Sequence, residues 1–291
     1  MGQDRFKAGI AEYLRVGGVP VRRVLGLNPG LMTGPGTNSY LIGKQRLCLL
    51  DPGPVDKLQY ENFMRAIGSA ELEAIAVTHT HGDHSPGALR LAEATGAIMI
   101  GLAAPVSPGQ DMSFAPSRLY ANREVLDFGE YTLELIYTPG HVSNHVCYFL
   151  RETEILFTGD HILQGTTPVI LPPDGNMLDY LNSLKLLRDE SIRYLAPGHG
   201  RVMDEPLKEI ESLIAHRFKR EEKIFDRLRS LGACDLEKLV YAAYDDVEAH
   251  LLPWAKKTML AHLIKLKSEG YVEGVANKWK VKERGDAPDF K

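Results

Sequence analysis

The chain has 291 residues, 44% of them hydrophobic and 25% charged, enough to bury a sizeable core in one large domain and a small one. Its net charge of −4 is not that of a protein held to nucleic acid by bulk electrostatics, and the acidic excess falls almost wholly before residue 205. Cys48, Cys147 and Cys234 are odd in number, widely spaced and outside any CxxC pair, which argues against a disulfide framework and a cysteine zinc cluster, and for a reducing compartment. Residues 1–20 carry charges throughout and lack the apolar stretch of a secretory signal. No apolar run approaches the roughly 18 residues of a membrane span, so a soluble, cytoplasmic protein with no membrane partner is expected.

Up to about residue 200, short β-type runs are punctuated by glycine and proline: 19–25, 37–42, 46–50, 73–78, 97–101, 131–137, 146–150 and 154–157. Between them, 55–67, 87–94 and 177–187 carry apolar residues at three- and four-residue spacing, with Pro54 and Pro86 placed where a helix starts. Strands interleaved with helices, some of them hairpin neighbours, predict mixed sheets with helices packed outside, an α/β fold of the αββα sandwich type. After Pro206 the character changes. A long amphipathic helix is expected over 207–231, with Arg217, Lys219, Arg220, Lys223, Arg227 and Arg229 on its solvated side and Gly232 ending it. Helices at 236–244 and 255–268 follow, then a hairpin of 271–274 and 278–281 and a frayed tail from Arg284. Three helices closed by a hairpin resemble a winged-helix module, so the chain divides into domains 1–206 and 207–291.

The string Thr78-His79-Thr80-His81-Gly82-Asp83-His84 follows one β-type run and precedes a helix. His79 and His81, two residues apart, point to one side of an extended segment, and Asp83 and His84 lie one turn on, within reach of a second ion. Imidazole with carboxylate suits zinc, with iron and manganese as other occupants. A zinc site needs about four ligands with one position open for water. Three further segments supply them: His141 in Pro139-Gly140-His141, Asp160 in Thr158-Gly159-Asp160, and His199 in Pro197-Gly198-His199-Gly200. Each follows a strand-like run at a glycine turn, where a side chain projects from a sheet edge into a shared cleft.

These motifs resemble the metallo-β-lactamase superfamily in order and spacing, with Asp51 in Leu50-Asp51-Pro52-Gly53 matching its first motif. The resemblance implies two divalent metal ions, most simply Zn2+. One is held by His79, His81 and His141, the other by Asp83, His84 and His199. Asp160 bridges both ions, and Asp51 orients the site without ligating. It further implies hydrolysis by a hydroxide shared between the ions, with Asp83 as the catalytic residue that orients it and handles its proton. A narrower resemblance runs through 26–30, 36–41, 179–184 and the winged-helix tail to the β-lactamase-like protein 2 group, whose animal members are endoribonucleases acting on single-stranded RNA. The implied function is therefore an endoribonuclease-like phosphodiesterase. The alternative is a small-molecule thioester hydrolase of glyoxalase II type, which uses an equivalent metal cage.

Other residues admit two readings. His145 and His161 lie beside motif residues and fit a substrate contact or, the favoured reading, a satisfied histidine of the pocket wall. His216, His250 and His262 read as surface or core histidines. Asn176, Tyr180 and Asn182 fit the mouth of the cleft or a plain helix surface. Lys256, Lys257, Lys265, Lys267, Lys278, Lys280, Lys282 and Arg284 around Trp279 could hold a strand's phosphates while the indole stacks a base, although Trp279 as the hairpin's core anchor is favoured.

Overall fold

The computed structural model describes residues 7–275, 277–282 and 288–290; of the tail expected to fray, Arg284 to Pro288's predecessor and Lys291 lie outside the described residues. The chain divides into two compact units, one formed by 1–138, 144–168 and 190–206 and the other by 139–143, 169–189 and 207–291.

The first unit holds two mixed sheets. In chain order its elements are β1 (Ala11–Tyr13), β2 (Val21–Leu25), β3 (Asn38–Ile42), β4 (Arg46–Leu50), α1 (Lys57–Ile67), β5 (Glu71–Ala76), α2 (Gly87–Thr95), β6 (Ile98–Ile100), β7 (Val125–Asp127), β8 (Thr132–Tyr137), β9 (Val146–Leu150) and β10 (Ile155–Gly159). The last strand, β11 (Tyr194–Pro197), comes after α3 (Met177–Arg188) of the second unit. The first sheet runs β1-β2-β3-β4-β5-β6, antiparallel as far as β4 and then parallel through the α1 and α2 crossovers. The second runs β11-β10-β9-β8-β7, antiparallel except for the parallel β10–β11 pair.

Both faces of the first sheet are buried, and side-chain alternation divides them. Tyr40, Ile42, Cys48, Leu50, Ala74 and Ala76 form one core with Leu133, Leu135, Val146, Tyr148, Ile155 and Phe157 of the second sheet. The alternate residues Leu41, Leu47, Leu49, Ile75 and Val77 pack with Phe63 and Ile67 of α1 and Ala88 and Leu91 of α2. This explains why β4 reads as a near-continuous apolar run after Arg46, since a strand covered on both faces has no solvated side to make polar. Each such Leu or Ile contributes roughly 1.5–3 kcal/mol by its burial. The sheets are also joined by hydrogen bonds at one end: Tyr40 Oη donates to Pro197 O at 2.8 Å, Asn38 N to Gly198 O at 2.7 Å, and Val146 N to Thr78 O at 2.7 Å.

The second unit contains α3, α4 (Pro206–Leu231), α5 (Leu236–Ala243), α6 (Leu252–Ser268) and the hairpin β12 (Val272–Val275) with β13 (Lys278–Val281). Phe225 and Leu228 of α4, Leu239 and Val240 of α5, Met259, Leu263 and Leu266 of α6, and Val272 share one core. Three helices and a two-stranded wing are the predicted winged-helix plan. Trp279 anchors the wing, exchanging backbone hydrogen bonds with Cys234 at 2.8 and 3.0 Å and lying across Gly274, where a Cβ would meet the indole ring at 3.4 Å.

Three expectations need correction here. Arg217, expected on the solvated side of α4, is buried, with its guanidinium over the Tyr180 ring at 5.1 Å. Tyr180 is itself fully buried, so it does not present a helix surface. Lys265 is buried rather than part of a basic face: its Nζ lies 2.6 Å from Glu221 Oε1, and His262 Nδ1 meets Glu221 Oε2 at 2.9 Å. Each polar group is buried with a partner on a neighbouring helix: the Arg217 guanidinium stacks on the Tyr180 ring, and the Lys265 ammonium is paired with the Glu221 carboxylate.

Candidate metal centre

The topology places the motif residues. Asp51 follows β4, the stretch His79 to His84 follows β5, Asp160 follows β10 and His199 follows β11. Since β4 runs parallel to β5, and β10 to β11, each pair delivers its polar residues at the carboxyl ends of its strands. Apolar strand interiors build the core, and the first residues past each strand are released from the alternation to carry chemistry.

His79 and His81 lie beyond the end of β5, in a loop. They converge through different nitrogens, His79 Nε2 standing 2.9 Å from His81 Nδ1. His84 is wholly buried. Its Nδ1 faces Asp51 Oδ2 at 2.9 Å, and its Nε2 lies 3.3 Å from Asp160 Oδ1 and 3.7 Å from Asp83 Oδ2. His199 Nε2 completes the group at 3.2 Å from Asp83 Oδ2 and 3.5 Å from Asp160 Oδ1, its Nδ1 held against Gly36 O at 3.2 Å. Ligand atoms of His79, His84 and Asp160 lie within 4.8 Å of one another, as do those of Asp83, His84 and His199. His141 belongs to the second unit, where its Nδ1 meets Val169 O at 2.7 Å.

Asp51 is the hub beneath these groups. Its Oδ1 accepts from Thr78 N and its Oδ2 from Thr78 Oγ1, both at 2.7 Å, while its backbone takes the left-handed φ of 49° that aspartate tolerates better than most residues. Close packing is required around it. Gly159 has φ 46°, and a Cβ there would stand 2.5 Å from Thr78 Oγ1; a Cβ on Gly198 would stand 2.7 Å from the His84 ring and 2.8 Å from Asp160 Oδ1.

The field of the site is that of a cation cage. Burial opposes a charge on His84, yet the carboxylates of Asp83, Asp160 and Asp51 outweigh it and hold its pKa well above the ordinary value. His199 is raised in the same way, burial being overcome by Asp160 and Asp83. Burial likewise disfavours ionised Asp83, but His84 and His199 more than compensate and lower its pKa. The donor set therefore fits a divalent ion. The buried Nε2 atoms of His84 and His199 both converge on the carboxylates of Asp83 and Asp160, as expected of ligand atoms aimed at a common centre.

The residues with two readings are also placed. His145 is fully buried, its Nδ1 2.9 Å from Thr138 Oγ1 and its ring 5.2 Å from that of His79, and His161 is fully buried beside it with ring centroids 5.7 Å apart. Asn176 caps α3, its side chain accepting from Leu178 N and Asp179 N. Thr78, which touches both Asp51 and His79, is a contact of the candidate ligands that sequence reasoning missed. It stands in the motif string, but nothing in a sequence distinguishes a hydroxyl that touches both Asp51 and His79 from an ordinary loop threonine.

Residues 32–199 match the family model described as the metallo-beta-lactamase superfamily, and residues 236–279 match the beta-lactamase associated winged helix domain. A beta-lactamase-like protein 2 homolog of Drosophila melanogaster is 33% identical over 267 residues, 86% of this chain and 88% of that protein. An atrochrysone carboxyl ACP thioesterase of Aspergillus fumigatus is 30% identical over 72% of this chain and 65% of its own length. Among solved structures, a beta-lactamase domain protein from Burkholderia ambifaria superposes with a TM-score of 0.80 at 19% identity, covering 96% of both chains.

Proposed function

Because the chain belongs to the metallo-beta-lactamase superfamily of metal-dependent hydrolases, we propose that it uses two divalent ions, zinc in the first instance, to hydrolyse phosphodiester bonds of single-stranded RNA. The observation that carries the hydrolytic reading is the convergence of Asp83, His84, Asp160 and His199 above the Asp51 carboxylate. His79 and His81 would hold the first ion, with His141 assigned to them by the sequence pattern; Asp83, His84 and His199 would hold the second, and Asp160 would join the two. Ions held there supply Lewis acidity and bring the ionisation of water towards neutral pH. Asp83 would orient the attacking water and accept its proton. Asp51 holds His84 with Nε2 turned inward.

Two observations support RNA as the substrate. The sequence resemblance to the β-lactamase-like protein 2 group, which implies single-stranded RNA, accords with a likeness to the Drosophila homolog over 86% of the chain, beyond the length that matches the thioesterase. In the second unit, Lys256, Lys267, Lys278 and Trp279, together with Asp235 and Glu237, line a groove of about 670 Å³, in which cations beside an aromatic face suit a single strand. Lys267 and Lys278 are exposed and make no ion pair among the described residues, whereas Lys256 is paired with Glu237 and Lys280 with Glu273. The second reading, thioester hydrolysis, is favoured by the A. fumigatus relative, whose name states an acyl-carrier-protein thioesterase. A cytoplasmic location accords with three buried free thiols, and no helix among the described residues is long and apolar enough to cross a membrane.

Elemental analysis combined with turnover assays tests the proposal. About two ions per chain, cleavage of a fluorogenic single-stranded RNA and its loss in Asp83→Ala are expected. Turnover of an acyl thioester without RNA cleavage would replace the substrate assignment, and a protein that takes up no metal from replete buffer would remove the metal centre altogether.

A further inference from the structure

We propose that Thr78 is a positioning residue for the metal centre, its hydroxyl relaying the Asp51 carboxylate onto His79, so that one carboxylate sets the ring tautomers of two histidines. The inference rests on the metal-centre reading above and assigns a role to a side chain that ligates nothing.

The argument follows the hydrogens. A carboxylate only accepts. Thr78 Oγ1, 2.7 Å from Asp51 Oδ2, must therefore spend its single hydrogen on Asp51. What remains on that oxygen is lone-pair density, and His79 Nδ1 lies 3.1 Å from it. The contact is favourable only if His79 carries its proton on Nδ1, which leaves the lone pair on Nε2, the nitrogen that stands 2.9 Å from His81 Nδ1. His84 obeys the same rule without an intermediary: its Nδ1 meets Asp51 Oδ2 at 2.9 Å, which leaves Nε2 as the nitrogen turned towards Asp160 and Asp83. The outer hydrogen bond of a ligand histidine determines which nitrogen is offered to the ion.

The relay is held in place on every side. Thr78 is fully buried, and Asp51, His79 and His84 are each 1% exposed or less. Thr78 N donates to Asp51 Oδ1 at 2.7 Å, which fixes the threonine backbone against the same carboxylate that its hydroxyl serves. Asp51 is pinned by its own backbone, N donating to Ala76 O at 2.9 Å and O accepting from Ser39 Oγ at 2.6 Å. Position 159 leaves room for the hydroxyl only as glycine. One consequence is specific. Losing the hydroxyl disturbs His79 but leaves the direct Asp51–His84 contact, so the two ion positions respond unequally.

Thr78→Val keeps the shape and removes the relay, and Thr78→Ser keeps the relay. Zinc titration against a chromophoric chelator should show two sites in the wild type and in Thr78→Ser. In Thr78→Val, one site should weaken on the order of 10–100-fold while the other is retained. Nitrogen-15 spectra of the histidine rings in the metal-free wild type, a readout independent of activity and of any variant's folding, should place the His79 proton on Nδ1. The relay is overturned if that proton resides on Nε2, or if Thr78→Val loads both ions as tightly as the wild type. A wild type that takes up no zinc would overturn the metal centre itself, and this role with it.

Discussion

Asp51 illustrates how much a single carboxylate can organise when it is buried. Two threonine donors and one imidazole converge on its two oxygens, and the residue takes a left-handed backbone to meet them. Asp51→Asn preserves shape and conformation but turns an amide NH2 towards Thr78 Oγ1 and His84 Nδ1, so both must become acceptors and His84 is driven to the tautomer that offers N–H inward. Zinc affinity should fall on the order of 10–100-fold at both positions, measured by competition titration, while the far-ultraviolet circular dichroism is unchanged. In contrast to Thr78→Val, this variant affects both histidines. The candidate ligands themselves were legible in the sequence because a histidine or aspartate after a strand and beside a glycine is conspicuous. Thr78 and Gly159 were not, since their roles are defined by contacts with residues distant in the chain.

At the scale of elements, the apolar periods placed most strands and helices within a residue or three. The run 46–50 is β4 and 146–150 is β9. Predicted 55–67 became Lys57–Ile67 because Asp56, not Pro54, caps the helix, its side chain accepting from Gln59 N. β1 and β7, three residues each, were not foreseen: Ala11–Tyr13 and Val125–Asp127 are edge strands with little burial, and an edge of that length has no period to detect. Caps offer a test at this scale. Asn176 satisfies two backbone donors at the start of α3, and Asn176→Ala should cost about 1 kcal/mol, read as a lowered denaturant midpoint with an unchanged slope.

Across the whole molecule, the second unit contains a buried charged cluster that has no part in the metal chemistry. His262 is fully buried on α6 against Glu221 of α4, with Lys265 on the same carboxylate. Burial lowers its pKa, Glu221 pulls it back up, and the positive fields of Arg217 and Lys265 lower it further, leaving it below the ordinary value. The unfolded chain therefore binds the proton first as pH falls, so the stability from this residue is complete above about pH 6.5 and is lost progressively below it. Glu221, depressed by His262 and Lys265 against its burial, adds a loss of the same sign at lower pH. Between pH 7 and pH 5 the thermal midpoint of the wild type should drop relative to that of His262→Asn, whose amide still donates to Glu221 but does not titrate. An equal drop in wild type and variant would refute this account.

The fold class, most of the elements, the family and the candidate ligands were legible along the chain, because apolar period, turn glycines and the HxHxDH spacing are properties of neighbouring residues. Which charges are buried and which hydroxyl meets which ring depended on packing. Arg217, Glu221 and Lys265 look like a solvated face until Tyr180 and His262 arrive across the interface. Thr78 gains its role only because β4 and β5 lie parallel in adjacent positions and bring Asp51 beneath it. Hydrogen-bond partners separated by 27 or 41 residues are chosen by packing, and packing is not a local property of the chain.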